Sequence, residues 1–238
     1  MKRIVIQYST PRSGSSFIEA ALRKYYEEQG HTHLAEYLNL NLTVAFTDGK
    51  ISVDNLHWKP LAFKSTLGQD EFIRQKKLRV KQLIFSQEKY FFKILGYHAT
   101  AEMFNHIIPF SDFIFTYRKD QWAQLLSYLI SMQTGQFYED DGIKWEEGQL
   151  VADRNLVVDF VQQLRFYDHL KGQLRPMAEI CFEDFLVDPE GYMRGLGMDV
   201  SLEGVYLPKK QNEKNKELAF SNIEDVKKWY AVAKANTP

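Results

Sequence analysis

The chain has a single cysteine, Cys181, in 238 residues. That scarcity excludes an intramolecular disulfide framework and any zinc site built from several thiolates, and it fits a reducing compartment. An excess of charge of either sign is also missing. Thirty Lys and Arg stand against thirty-one Asp and Glu, for a formal net charge of -1. No global positive field therefore draws the protein to nucleic acid or anionic lipid, and any anion site must be local. Long hydrophobic runs are absent too: nothing approaches the ~18 apolar residues of a membrane span. The N-terminal MKRIVIQYS turns polar too soon for a signal-peptide core. The expectation is a cytoplasmic chain with no integral membrane contact and no nucleic-acid partner. Repeats, low-complexity tracts and linker-like stretches are lacking, which predicts a single domain over 1–238. What is present is an ordinary globular composition, 45% hydrophobic and 26% charged, at a length able to bury a core. Ile180 and Phe182 predict a buried thiol at Cys181.

Arg3 to Tyr8 (RIVIQY) is a short β-branched apolar run that stops at a Ser- and Pro-rich stretch, after which FIEAALRKYYEE has helical spacing. The order strand, polar loop, helix recurs. Phe91 to Tyr97 precedes AEMFNHI, Asp112 to Tyr117 precedes a helical pattern from Gln121 to about Gln133, and Ala178 to Phe182 leads to a helix-like 189–196. The amphipathic segment Leu156 to Leu174 lies before the last of these strands. This alternation predicts an α/β fold, a P-loop-like parallel β-sheet flanked by helices. Leu42 to Val53 reads as an inserted hairpin turning at Asp48-Gly49. The segment QKKLRVKQ, 75–82, carries four basic residues in eight and reads as a solvated helix face.

Thr10 to Phe17 lies where the first strand feeds the first helix, where ligands sit in open α/β sheets. Amides of a helix N-terminus favour an anion there, and Gly14 allows close backbone approach. Ser13, Ser15 and Ser16 add hydroxyls, and Arg12 adds a guanidinium able to hold a phosphate or sulfate with two hydrogen bonds. A Walker A loop needs Gly where Ser9 stands and Lys where Ser15 stands, so ATP or GTP hydrolysis is disfavoured. A second motif, FTYRKD followed by QWAQLLSY, places Arg118 at a strand end and Ser127 nine residues later on a helix. Both reach one anion only if that helix folds back beside the strand.

PRSGSSF together with YRKDQWAQLLSY resembles the sulfotransferases that use 3′-phosphoadenosine-5′-phosphosulfate (PAPS). AEYLN at 35–39, FKI at 92–94, QTGQF at 133–137 and CFEDFLVDP at 181–189 resemble the bacterial trehalose sulfotransferase-like branch in particular. The resemblance implies a sulfotransferase fold. It implies that Arg12, Ser13, Gly14, Ser15, Ser16 and Phe17 cradle the 5′-phosphosulfate, and that Arg118 and Ser127 hold the 3′-phosphate. Lys209 and Lys210 stand where the family often has a basic phosphate contact, and a solvated tail is the other reading of them. The implied reaction moves a sulfonyl group to an acceptor hydroxyl, on a sugar or glycolipid, and leaves adenosine 3′,5′-bisphosphate without a metal. Arg12 and Lys93 would counter leaving-group charge. The proton acceptor is Glu36, where the branch places its catalytic glutamate, or His98, where cytosolic-type sulfotransferases carry a histidine. His31 and His33 read as loop residues, since no third ligand stands at metal spacing. Trp58, Trp122, Phe137, Tyr138 and Trp145 are candidate stacking faces for an acceptor or, equally, core. A nucleotide-binding protein without catalysis and a divergent P-loop kinase are the competing readings.

Overall fold

Alternation along the first strand sets the architecture. In β1 (Ile4–Ser9), Ile4, Ile6 and Tyr8 point to one side while Val5 and Gln7 point to the other, and all are buried. A strand buried on both faces belongs in the middle of a parallel sheet. The computed structural model describes residues 3–38, 43–47, 50–54, 69–95, 101–135, 145–206 and 215–235. Along it run α1 (Ser15–Glu28), β2 (Thr32–His33), β3 (Thr43–Thr47), β4 (Lys50–Asp54), α2 (Gln69–Phe85), β5 (Tyr90–Leu95) and α3 (Ala101–Ile107). They are followed by β6 (Ser111–Tyr117), α4 (Gln121–Thr134), α5 (Arg154–Gln173), β7 (Ala178–Cys181), α6 (Phe182–Val187), α7 (Pro189–Gly195) and α8 (Ile223–Ala235). Five parallel strands pair in the order β2-β5-β1-β6-β7. The chain passes from β5 to β6 across β1, so the order switches beside the first loop, where ligands of open α/β sheets bind. The expected α/β sheet flanked by helices is therefore present.

One face of the sheet packs Ile4, Ile6, Tyr8, Phe92, Ile94 and Phe115 against α2, α3 and α5. The other packs Val5, Phe91, Ile114 and Ile180 against α1, α6 and α7 through Ile18, Leu22, Phe185 and Met193. A third cluster joins α4, α5 and α8 away from the sheet. Helix starts follow local chemistry: Asp120 caps α4 by accepting from the Ala123 amide, and Asp153 and Asp188 cap α5 and α7 in the same way. Antiparallel β3 and β4 form the expected hairpin, while its turn, Asp48-Gly49, lies outside the described residues. Cys181 is a buried free thiol, as its neighbours predict. Among the described residues no helix is long and apolar enough to cross a membrane.

The basic segment 75–82 departs from the expectation of a solvated face. Lys76 and Arg79 are buried on α2. Arg79 Nη1 donates to the Tyr37 carbonyl at 2.6 Å, and its guanidinium lies over the Tyr37 ring. Burial, and then the charge of Arg79, pulls Lys76 down to about 8. The reason is geometric: positions 76, 79, 80 and 83 share one helix face, which Val80 and Leu83 press onto the sheet.

Candidate functional site

The first loop has the backbone of an anion cradle. Arg12 and Gly14 both have positive φ, 61° and 78°, while Ser13 between them does not. Alternation of that kind turns successive amides into one concavity. Gly14 is the N-cap of α1, and no side chain caps that end, so first-turn amides stay available to a ligand. Arg12 takes the left-handed conformation at a cost of about 1–2 kcal/mol for an L-residue. The loop is held from outside: Gln7 Nε2 donates to the Ser15 carbonyl, and Gln124 Nε2 donates to Thr10 Oγ1 and the Pro11 carbonyl at 2.8 and 2.7 Å. Ser9 and Thr116 share a hydroxyl hydrogen bond beneath it.

Gly14 is required for more than close approach to a ligand. A Cβ there would lie 2.0 Å from Phe182 Cδ2 and 2.5 Å from its Cγ, at a φ that side chains rarely adopt. Gly14→Ala should therefore destabilise the fold by about 2 kcal/mol or more, from left-handed strain plus overpacking. In a thermal melt of a chain this size that is a fall of roughly 5 °C; an unchanged melting temperature would mean that Phe182 yields freely.

Of the three serines, two have protein partners for their hydroxyls. Ser13 Oγ donates to the Thr10 carbonyl at 2.8 Å, so it braces the loop, and Ser16 Oγ accepts from Lys93 Nζ at 3.0 Å. Phe17 makes edge-on contacts with Phe182 and Phe185.

Lys93 is the centre of the buried charge. It pairs with Gln7 across β5 and β1 and so points to the α1 face, at the ends of the strands. Besides Ser16, its Nζ lies 2.6 Å from Glu19 Oε2 and 3.2 Å from Glu36 Oε1. Glu36 is delivered by a tight turn: the Lys93 amide donates to the Ala35 carbonyl at 2.8 Å, and Ala35 takes a φ of 48°. Glu19 Oε1 meets His33 Nε2 at 3.0 Å. Burial alone would push the Glu19 carboxyl up, but the Lys93 charge and the His33 contacts outweigh it and hold the group at about 2.

Of the two histidines read as loop residues, His31 lies in the loop before β2 as expected and His33 does not. His33 is in strand β2, paired beside Phe91 and stacked on its ring, and His31 is buried under Tyr26. Burial, with the nearby Lys89 charge, lowers His31. Among the described residues no group of three or more His, Cys, Asp or Glu is placed to hold a metal ion.

Arg118 and Ser127 have different partners. Ser127 Oγ accepts from Arg12 Nε at 3.1 Å, which joins the two motifs across 115 residues. Arg118 Nε lies 3.3 Å from Glu183 Oε1, and its guanidinium covers the Phe182 ring at 5.4 Å. Glu183 also accepts from the amides of Lys119 and Asp120; burial raises its carboxyl, and those amides together with its own amide and the Cys181 thiol bring it below its ordinary value.

Glu19, Gln124 and Glu183 are absent from the sequence reading. Glu19 had one local signal, its place three residues after Ser16 on the same helix face. Gln124 and Glu183 lie inside quoted motifs but carry no local mark of their long-range partners. His98, Lys209, Lys210, Trp58, Phe137 and Tyr138 lie outside the described residues. Of the remaining candidate stacking faces, Trp145 is core, and Trp122 packs on Tyr230 while donating to Glu217.

No family model matches the chain, and no curated protein does. Among solved structures, a crystal structure of retinol dehydratase in a complex with retinol and PAP aligns with 99% of this chain and 82% of that chain, at 10% identity and a TM-score of 0.45. A likeness at that level assigns no residue, and the chemistry of the site rests on the geometry of the chain itself.

Proposed function

We propose that the chain is a PAPS-dependent sulfotransferase that sulfonates a hydroxyl of a sugar or glycolipid. One observation carries this reading: a single buried lysine lies within bonding distance of both a hydroxyl of the anion loop, Ser16 at 3.0 Å, and a carboxylate suited to take a proton, Glu36 at 3.2 Å. Charge stabilisation and proton acceptance thus meet at one point beside an uncapped helix end, which is what an in-line transfer between two oxygens demands. The residues present fit the donor. The concave backbone of 12–14, Arg12 and the α1 amides suit its 5′-phosphosulfate, and Arg118 and Ser127 are the groups proposed for its 3′-phosphate.

The donor, when bound, supplies the sulfonyl group, and adenosine 3′,5′-bisphosphate departs. Arg12 and the loop amides bind and orient the anion. Lys93 sets a positive charge where negative charge grows on the leaving oxygen. Glu36 takes the proton of the acceptor hydroxyl as that oxygen becomes a nucleophile, an effect generally worth about 10² to 10⁴ in rate. Glu19, held at about 2, is itself a weak proton acceptor. Arg118, paired with Glu183 at 3.3 Å, supplies the cation for the 3′-phosphate.

The test begins with binding. Adenosine 3′,5′-bisphosphate at 100 times its dissociation constant should raise folding stability by about 2.7 kcal/mol, and AMP at the same concentration should give a smaller shift. Arg118→Ala should abolish that discrimination. Equal shifts from the two ligands in the wild type would remove the 3′-phosphate site. Product formation from labelled PAPS is then measured against sugars, glycolipids and small alcohols. Bisphosphate binding without transfer to any of them would favour the non-catalytic reading, and a strict need for Mg²⁺ and ATP would favour the kinase.

A further inference from the structure

We propose that Glu183 is a positioning residue of the second anion site: with Phe182 before it, its carboxylate holds the Arg118 guanidinium by one edge and one face, so that the remaining edge is presented to a 3′-phosphate. The inference rests on the reading of Arg118 as the cation for that phosphate.

The Glu183 carboxylate ties together the side chain of Arg118 and the backbone that follows it. Its Oε1 lies 3.3 Å from Arg118 Nε and accepts from the Asp120 amide at 3.3 Å. Its Oε2 accepts from the Lys119 amide at 3.0 Å and from the Cys181 thiol at 3.4 Å. An ionised carboxylate only accepts, so all of these donors can be served by one group. Asp120, whose amide is among them, caps α4, and α4 carries Ser127. A single acid therefore fixes the strand-end arginine relative to the helix whose serine stands nine residues further on.

The face of the guanidinium is fixed as well. It lies over the Phe182 ring at 5.4 Å, the stacked contact that a planar cation makes with an arene. That ring also occupies the space a Cβ at Gly14 would need, and it meets Phe17 edge-on. Arg118 is thus seated on a ring packed against the anion loop. Among the described residues it has no other ion-pair or hydrogen-bond partner, and its Nε is buried while its Nη groups are not. A rigid fork held by its Nε and by one face leaves the Nη groups in one orientation. The neighbouring cation does not compete for Glu183, because Lys119 Nζ pairs with Asp184 at 2.6 Å.

The sign of the charge makes the role testable. A carboxylate repels an anion, so a Glu183 that merely stood near the site would weaken bisphosphate binding, and its removal would strengthen it. Positioning predicts the opposite.

The experiment titrates adenosine 3′,5′-bisphosphate and AMP by calorimetry into wild type, Arg118→Ala, Glu183→Ala and Glu183→Gln. Glu183→Ala lets Arg118 swing and releases the loop amides, so bisphosphate should bind about tenfold more weakly while AMP affinity holds. Glu183→Gln keeps the shape and one acceptor oxygen without the charge, and its bisphosphate affinity should lie between those of Glu183→Ala and wild type. Bisphosphate binding to Glu183→Ala as tight as wild type, or tighter, would overturn the proposal. An equal loss for both ligands would overturn it too, since a merely structural residue spoils the whole site and not the 3′-phosphate contact alone. If Glu183→Ala does not fold, Glu183→Gln decides by the same sign. A wild type that binds the two ligands equally, or an Arg118→Ala that still prefers the bisphosphate, overturns the reading of Arg118 itself, and the role of Glu183 with it, before the Glu183 variants are compared.

Discussion

Lys93→Met should lower folding stability by about 3–5 kcal/mol near neutral pH, because it leaves Glu19 and Glu36 buried with no ammonium between them. In urea unfolding this is a large leftward shift of the midpoint with the slope preserved. The pH dependence should change sign. In the wild type Glu19 is held at about 2, below the ordinary ~4.3 of a glutamate. The group therefore adds stability that is fully present above its ordinary value and lost as pH falls from there toward 2, roughly 3 kcal/mol in all. Without Lys93, burial dominates and raises the same carboxyl, so protonation relieves the variant rather than harming it. The gap between wild type and variant should narrow as pH falls to about 3. A gap that stays constant would show that Lys93 contributes packing alone, and the charge assignment at the centre of the site would fail.

Glu36→Gln is the expected kinetic counterpart. The amide keeps the shape of the side chain and can still accept from Lys93, but it cannot take a proton, so turnover should fall by about 10² or more while bisphosphate affinity holds. His98→Asn is the matched control. Near wild-type turnover in Glu36→Gln, with abolished turnover and intact bisphosphate binding in His98→Asn, would move the base to His98. Loss of activity in both variants would mean that one of the two positions the acceptor, and the variant whose acidic limb disappears then identifies the base.

Local periodicity was enough to read the strand, loop and helix units. Β-branched runs ending in polar stretches marked β1, β5, β6 and β7, and helical spacing marked α1, α3, α4, α5 and α7, because those patterns are written over a few consecutive residues. The two-residue β2 carried too short a pattern, and α8 was not read. Chemistry that depends on neighbours in sequence supports a proposal at the same stage: the serines, Gly14 and Arg12 suggest an anion loop by their type and place alone. What only the tertiary structure decided were partnerships between distant residues. Arg12 and Ser127 lie 115 residues apart and meet because β1 and β6 pair. Lys93 reaches Ser16 and Glu19 because β5 lies beside β1, in register with Gln7 opposite Lys93. Lys76 and Arg79 look solvated in a basic stretch and are buried because their helix face is also the face of Val80 and Leu83. Local sequence carries backbone preference and amphipathicity, but strand order and the identity of a buried charge's partner depend on which surfaces the whole chain presses together.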